Sequence, residues 1–214
     1  IDSDDYIDIN SCKIIYDIAK KNDLDIIRFN GCSFEDNNNT INFIESEYYS
    51  TWKNNIIYNN KDIKSLPVDT EVSTVMYWTK RNIISYFQFR EGVYYEDTDF
   101  TPILFSSVNR LMVIFFTAYY RRIAAGSITQ SKITTKHIYD RFSLINAYEN
   151  YININNIKRR SFIYREYLVI SEIFFNEIKE NIDNFSYDKD LMFLFIMISS
   201  LLMKLNIYRK LNKI

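Results

Sequence analysis

Ser11-Cys-Lys-Ile-Ile-Tyr-Asp-Ile-Ala-Lys-Lys21, followed at once by Asp25-Ile-Ile-Arg-Phe-Asn30, is the stretch that decides the fold class. In the first piece Ile14, Ile15, Ile18 and Ala19 recur at helical spacing, and Asn10 or Ser11 can cap it. Lys20 and Lys21 fall in the last turn, where a cation meets the negative end of the helix dipole. The second piece is short and β-rich, so it predicts a strand, with Gly31 closing it. A helix feeding a strand is the signature of an α/β chain. Working outward, Glu35 to Asn39 reads as a polar turn and Thr40 to Glu45 as the returning strand of a hairpin. Glu47 to Ser65 is mixed, read as helix and loop, and Val68 to Tyr77 after Pro67 reads as a helix. Another helix is expected to start near Glu96, because Asp97, Thr98 and Asp99 place carboxylates and a cap before an apolar run. Leu111 to Tyr119 is continuous and apolar, which suits a buried strand. Ala125-Gly126-Ser127 breaks it.

The 214 residues suit one domain or one domain with an appendage. After Lys132 there is no further Gly or Pro, and helical patterns run over Thr134–Ile152, Ile157–Phe185 and Lys189–Leu211. Residues 1–131 therefore read as an α/β body and 132–214 as a helical extension. The apolar run Leu191 to Met203 is shorter than the roughly 20 residues that span a bilayer, so it predicts a core helix or one lying on a membrane surface. With 26 basic against 27 acidic residues the net charge is −1, which gives no reason to expect a nucleic-acid partner. Aromatic residues make up 17%, and sugar-binding grooves use aromatic faces, although richness in Ile, Asn and Lys throughout suggests a coding bias. Cys12 and Cys32 form no disulfide or metal pattern, so a reduced, cytoplasmic setting is expected. Ile1 is not a methionine and is followed by acidic residues, which predicts no signal peptide and a start inside a longer protein.

Two carboxylate clusters stand out. In Asp2-Ser3-Asp4-Asp5-Tyr6 the charges repel one another unless a cation neutralises them, and hard oxygen ligands select Mg²⁺ or Mn²⁺. A solvated acidic turn is the plainer reading. An EF-hand is excluded because Ile7 stands where its loop needs glycine. In Glu91-Gly-Val-Tyr-Tyr-Glu-Asp-Thr-Asp-Phe100, a carboxylate at a helix start could serve as a general base or simply stabilise the helix. The lone His137, in a polar helix start, is expected at the surface rather than as a ligand. Ser127 has no histidine–acid partner in view, so a hydrolase triad is not supported.

Taken together, the clusters resemble the bacterial family-2 glycosyltransferases, which have a GT-A fold. Ile1 to Tyr6 is similar to the family's Asp-x-Asp strand end, and Ser11–Lys21 and Asp25–Phe29 to the helix and strand that follow it. Phe89, Glu91, Gly92, Tyr95, Glu96 and Asp97 resemble its Phe-x-Glu-Gly-x-x-Tyr-Glu-Asp signature, with Trp78 to Arg81 as the lead-in. Tyr119 to Thr129 matches a later element in part, with Arg121 where a tyrosine is usual and Ala124 where an arginine is usual. The likeness covers roughly residues 1 to 130. It implies that Asp2 and Asp4 hold a Mg²⁺ or Mn²⁺ ion against the diphosphate of a nucleotide-sugar donor, with Asp5 supporting them from behind or serving as an alternative ligand. Asp97 would be the base that deprotonates a glycan or lipid-linked acceptor, with inversion. Glu96, Trp78, Arg122 and Ser127 would contact substrate. The strands that bind the nucleotide in this family precede the Asp-x-Asp motif, so the chain is expected to be the acceptor-side part of such an enzyme, inactive alone. The implied setting is cell-surface polysaccharide synthesis on the cytoplasmic side of the membrane. A non-catalytic interaction or membrane-surface module is the alternative, resting on the helical tail.

Overall fold

Two long parallel strands organise the molecule, β2 (Ile26–Asn37) and β6 (Arg110–Arg122). The structure is a computed structural model that describes residues 1–37, 40–48, 50–67, 72–123, 131–158 and 161–181, together with 193, 196, 199 and 200. Alternate side chains point to opposite faces of the sheet. Ile27, Phe29, Met112 and Ile114 enter one core, while Ile26, Leu111 and Val113 enter the other. Coverage of both faces is why Leu111–Ile114 is apolar without alternation, whereas Phe115 further along the run is half exposed.

Each long strand is flanked by two short antiparallel segments lying end to end. Strands β1 (Tyr6–Ile7) and β4 (Ile57–Asn59) pair with the two ends of β6. Strands β3 (Thr40–Tyr48) and β5 (Tyr77–Thr79) do the same for β2. The result is a six-stranded mixed sheet in an α/β fold.

Helix α1 (Ser11–Lys21) covers one face through Ile15, with Ile18 and Ala19 at the margin. Its start differs from expectation. Asn10 makes no side-chain cap bond; instead Asp8 Oδ1 accepts the Asn10 N–H at 2.8 Å, and the buried Ser11 hydroxyl donates to Ala118 O. Its end is a Schellman turn built without glycine. Asp23 takes φ 49°, and the Leu24 and Asp23 N–H groups donate to Ala19 O and Lys20 O.

Helices α4 (Asp97–Ser107), α5 (Thr135–Ile154) and α6 (Phe162–Asn181) cover the other face. Leu104, Phe105, Leu144, Tyr148, Phe162 and Phe174 join Trp52, Leu111 and Val113 in one buried cluster. Helices α5 and α6 are thus packed into the same core as the sheet.

Several local expectations are corrected. Gly31 does not end its strand; β2 continues to Asn37 through register shifts beside Gly31. Glycine is needed there for close approach, because a Cβ would stand 2.5 Å from Met76 Cε and 2.7 Å from its Sδ. The expected helix over Val68 to Tyr77 is a 3₁₀ turn at Thr74–Met76 leading into β5, with residues 68–71 outside the described region. Glu47 to Ser65 contains β4 and the one-turn helix α2 (Asn60–Ile63), capped by Asn59, and a second one-turn helix, α3 (Arg81–Ile84), follows β5. Helix α6 starts at Phe162, five residues later than read; Asn156, at φ 50°, turns the chain at the end of α5. The break at Ala125–Ser127 lies outside the described residues. So does the last helix, apart from residues 193, 196, 199 and 200, which are helical. Among the described residues no helix is long and apolar enough to cross a membrane.

Candidate functional site

The acidic turn is fastened to the end of β6. The Tyr119 hydroxyl donates to Asp5 Oδ2 at 2.6 Å, and the Arg122 N–H donates to Asp5 Oδ1 at 2.7 Å. Asp2 N–H donates back to the Tyr119 oxygen at 3.2 Å, and Arg122 Nε donates to Asp4 O at 3.2 Å. Burial, with the Asp5 carboxylate next, pushes the Tyr119 phenol well above its ordinary range. Both oxygens of Asp5 therefore accept hydrogen bonds that hold the turn. Asp2 and Asp4 are exposed on the same turn.

Beside the turn lies a cleft of about 460 Å³. Asp2 and Tyr119 line it together with Tyr77 and Trp78 of β5 and the aromatic rings of Phe89 and Phe100. Phe89 stacks on Phe100 at 4.0 Å between ring centres. Phe100 stands one turn along α4 from Asp97, on the same helix face. Among the described residues Asp97, Glu96 and Asp4 are not on the cleft wall. Burial raises the Tyr77 phenol, its hydrogen bond with Thr101 pulls it back, and the nearby Asp97 charge adds a smaller push upward.

The second acidic cluster separates into distinct roles. Glu96 occupies the cap position of α4 without a side-chain cap bond, and Asp97 and Asp99 lie in the first turn. Asp99 is buried and ion-paired with Arg90 Nε at 3.0 Å, and Arg90 Nη1 also donates to Ser143 Oγ. Desolvation raises the Asp99 pKa and the Arg90 charge pulls it back. Asp99 thus belongs to the scaffold.

The loop before α4 is held by the first turns of α5. Tyr94 N–H donates to Asp140 Oδ2 at 2.8 Å, Lys136 Nζ donates to Gly92 O and to Asp140, and Arg141 Nη2 donates to the Tyr95 hydroxyl. These contacts fix Gly92 and Tyr95, both at positive φ (73° and 63°). His137 is corrected from surface to core. It is 3% exposed, packs on the Tyr94 ring at 4.8 Å, and its Nδ1 accepts the Thr134 N–H at 3.1 Å, in the place a capping-box glutamate would occupy. Its ring spacing gave no sign of this, whereas the Lys136–Asp140 pair was visible as an i,i+4 spacing without its loop partners.

Of the residues expected to contact substrate, Trp78 lines the cleft and Arg122 braces the acidic turn. Ser127 lies outside the described residues. Among the described residues there is no group of three His, Cys, Asp or Glu side chains that would form a protein cage for a metal. An Asp2–Asp4 pair fits instead the way Mg²⁺ is usually bound, by one or two carboxylates plus water and substrate phosphates. The chain matches no protein-family model and no curated protein.

Proposed function

We propose that the chain is the acceptor-side part of an inverting glycosyltransferase of GT-A type. It would move a sugar from a nucleotide-diphospho-sugar to a glycan or lipid-linked acceptor, in surface polysaccharide synthesis at the cytoplasmic side of the membrane. The observation that carries this reading is one cleft lined both by Asp2 of the acidic turn and by Trp78, Phe89 and Phe100; Asp97 stands behind that lining, one helical turn from Phe100.

In this reading Asp2 and Asp4 hold Mg²⁺ or Mn²⁺, and Asp5, fixed by Tyr119 and Arg122, sets the angle of their turn. The cation, when bound, offsets charge on the leaving diphosphate. Asp97 accepts the proton of the acceptor hydroxyl as that oxygen bonds to the anomeric carbon and the bond from that carbon to the diphosphate oxygen breaks. Attack from the face opposite the leaving group inverts the centre. The start of α4 favours an ionised Asp97, which a base requires. Trp78 and Phe89 offer ring faces to the sugar. The test is incubation of the full-length protein with a panel of nucleotide-sugars and acceptors, read by mass spectrometry of the products. An acceptor product heavier by one sugar residue supports the reading, and its absence across the panel removes it.

A further inference from the structure

Four aromatic side chains form a row across the sheet on the side of Arg122. Strands β1, β6, β2 and β3 are neighbours in that order and contribute Tyr6, Tyr120, Phe34 and Phe43. Tyr6 and Tyr120 are register partners, as are Phe34 and Phe43. The Tyr6 and Tyr120 rings stack at 4.7 Å and 9°, Tyr6 meets Phe34 at 5.1 Å, and Phe43 meets Tyr120 edge-on at 5.7 Å. Phe34 is the floor at 1% exposed, whereas Tyr6 and Phe43 are 36% and 58% exposed.

This row adjoins the acidic turn. Tyr6 directly follows Asp5, and Arg122 lays its guanidinium 5.2 Å above the Phe34 ring while its Nε donates to Asp4 O. One residue therefore touches both features.

The chemistry of the surface selects its occupant. Exposed rings without polar groups would suit a hydrocarbon chain, but here two of the three accessible rings carry phenol hydroxyls at their edges. The complementary ligand has an apolar face and a hydroxylated edge, which describes a pyranose ring. The size argues the same way. Fully burying an aromatic side chain removes about 150–250 Å², so these partly exposed rings offer on the order of 250 Å². A stable protein partner needs about 800 Å² on each side.

We propose that Tyr6, Tyr120 and Phe43 form a carbohydrate-stacking platform that holds sugar units of an oligosaccharide beyond the one that reacts. The choice of a glycan rests in part on the transferase reading, which it deepens by making the acceptor a preformed oligosaccharide rather than a single sugar.

The test is retention of the full-length protein on an array of immobilised neutral, amino and acidic oligosaccharides. The wild type should be retained on a subset, and Tyr6→Ala and Phe43→Ala should each weaken retention by at least about threefold. Phe43 is exposed, so its replacement leaves the fold intact, and Tyr6→Phe provides a second safe variant that should lose less than Tyr6→Ala. No retention on any glycan, or retention unchanged in both alanine variants, overturns the platform. So does capture by phosphatidylcholine or phosphatidylglycerol vesicles through Phe43, for which Ile41 on the same strand face makes vesicles the needed control. A dimer dissociated by Phe43→Ala would overturn it as well. Retention without any sugar transfer would keep the platform and end the transferase reading. Transfer with an unchanged acceptor KM in both alanine variants would do the reverse.

Discussion

Replacing Tyr148 by phenylalanine removes one oxygen from the core and tests how α4 is built. Pro102 sits inside that helix and has no N–H, so the Thr98 carbonyl loses its partner four residues on. The Tyr148 hydroxyl, on α5, supplies the missing donor at 2.6 Å. Tyr148 is 0% exposed and Thr98 6%, so water has little access to the orphaned carbonyl. In Tyr148→Phe the ring still fills its place, and the loss is that of a buried unsatisfied acceptor, about 1–3 kcal/mol. Pro102→Ala restores an N–H that can reach Thr98 O, so Tyr148→Phe should cost less than about 1 kcal/mol in that background. Urea unfolding of the four proteins, with constant m-values, measures the cycle. Equal losses with and without Pro102 would refute the argument that the tyrosine stands in for the missing donor.

Tyr119→Phe removes the donor to Asp5 and the acceptor for the Asp2 N–H; a loss of about 1–2 kcal/mol is expected, together with faster hydrogen exchange at Asp2. Unchanged exchange there would show that the turn is held otherwise. Burial raises the phenols of Tyr77, Tyr119 and Tyr148 in the folded state. Their contribution to stability is fully present below the ordinary tyrosine value of about 10 and is lost as pH rises through their higher folded values. Ultraviolet titration should therefore find these phenols ionising together with alkaline unfolding, not in the native protein near the ordinary value. Gly31→Ala should destabilise by about 1–3 kcal/mol, because the new methyl meets the buried Met76 side chain; a neutral result would mean that Met76 moves aside freely.

Much of the scaffold was legible where one local signal dominates. The helical spacing of Ile14, Ile15 and Ile18 and the unbroken run Leu111–Tyr119 report burial on one face and on two, and α1 and β6 follow. Gly31 misled because a glycine that ends a strand and a glycine that admits a neighbouring side chain look the same in sequence; Met76 is 45 positions away. The end of α1 turns at Asp23; aspartate is among the few non-glycine residues that adopt the left-handed region, so Asn22-Asp23 is a turn signal, but a weaker one than glycine. The region before β5 was misread as helix because its apolar residues serve a short edge strand and a 3₁₀ turn rather than one helical face. For the site, the acidic runs pointed to Asp2, Asp4 and Asp97. They could not show that Asp5 and Asp99 are spent on holding structure, because Tyr119, Arg122 and Arg90 reach them through folding. The grip of α5 on the 90–95 loop, and the burial of His137 beneath Tyr94, likewise depend on contacts between distant segments.

The proposal that the protein transfers sugars is tested most directly at Asp97. In the full-length protein Asp97→Asn keeps the shape of the first turn of α4 but removes the basic lone pair. The account predicts turnover reduced by about 10²–10⁴-fold with nucleotide-sugar binding little changed, whereas Asp4→Ala should weaken metal-dependent donor binding instead. Near-normal turnover in Asp97→Asn would contradict the account.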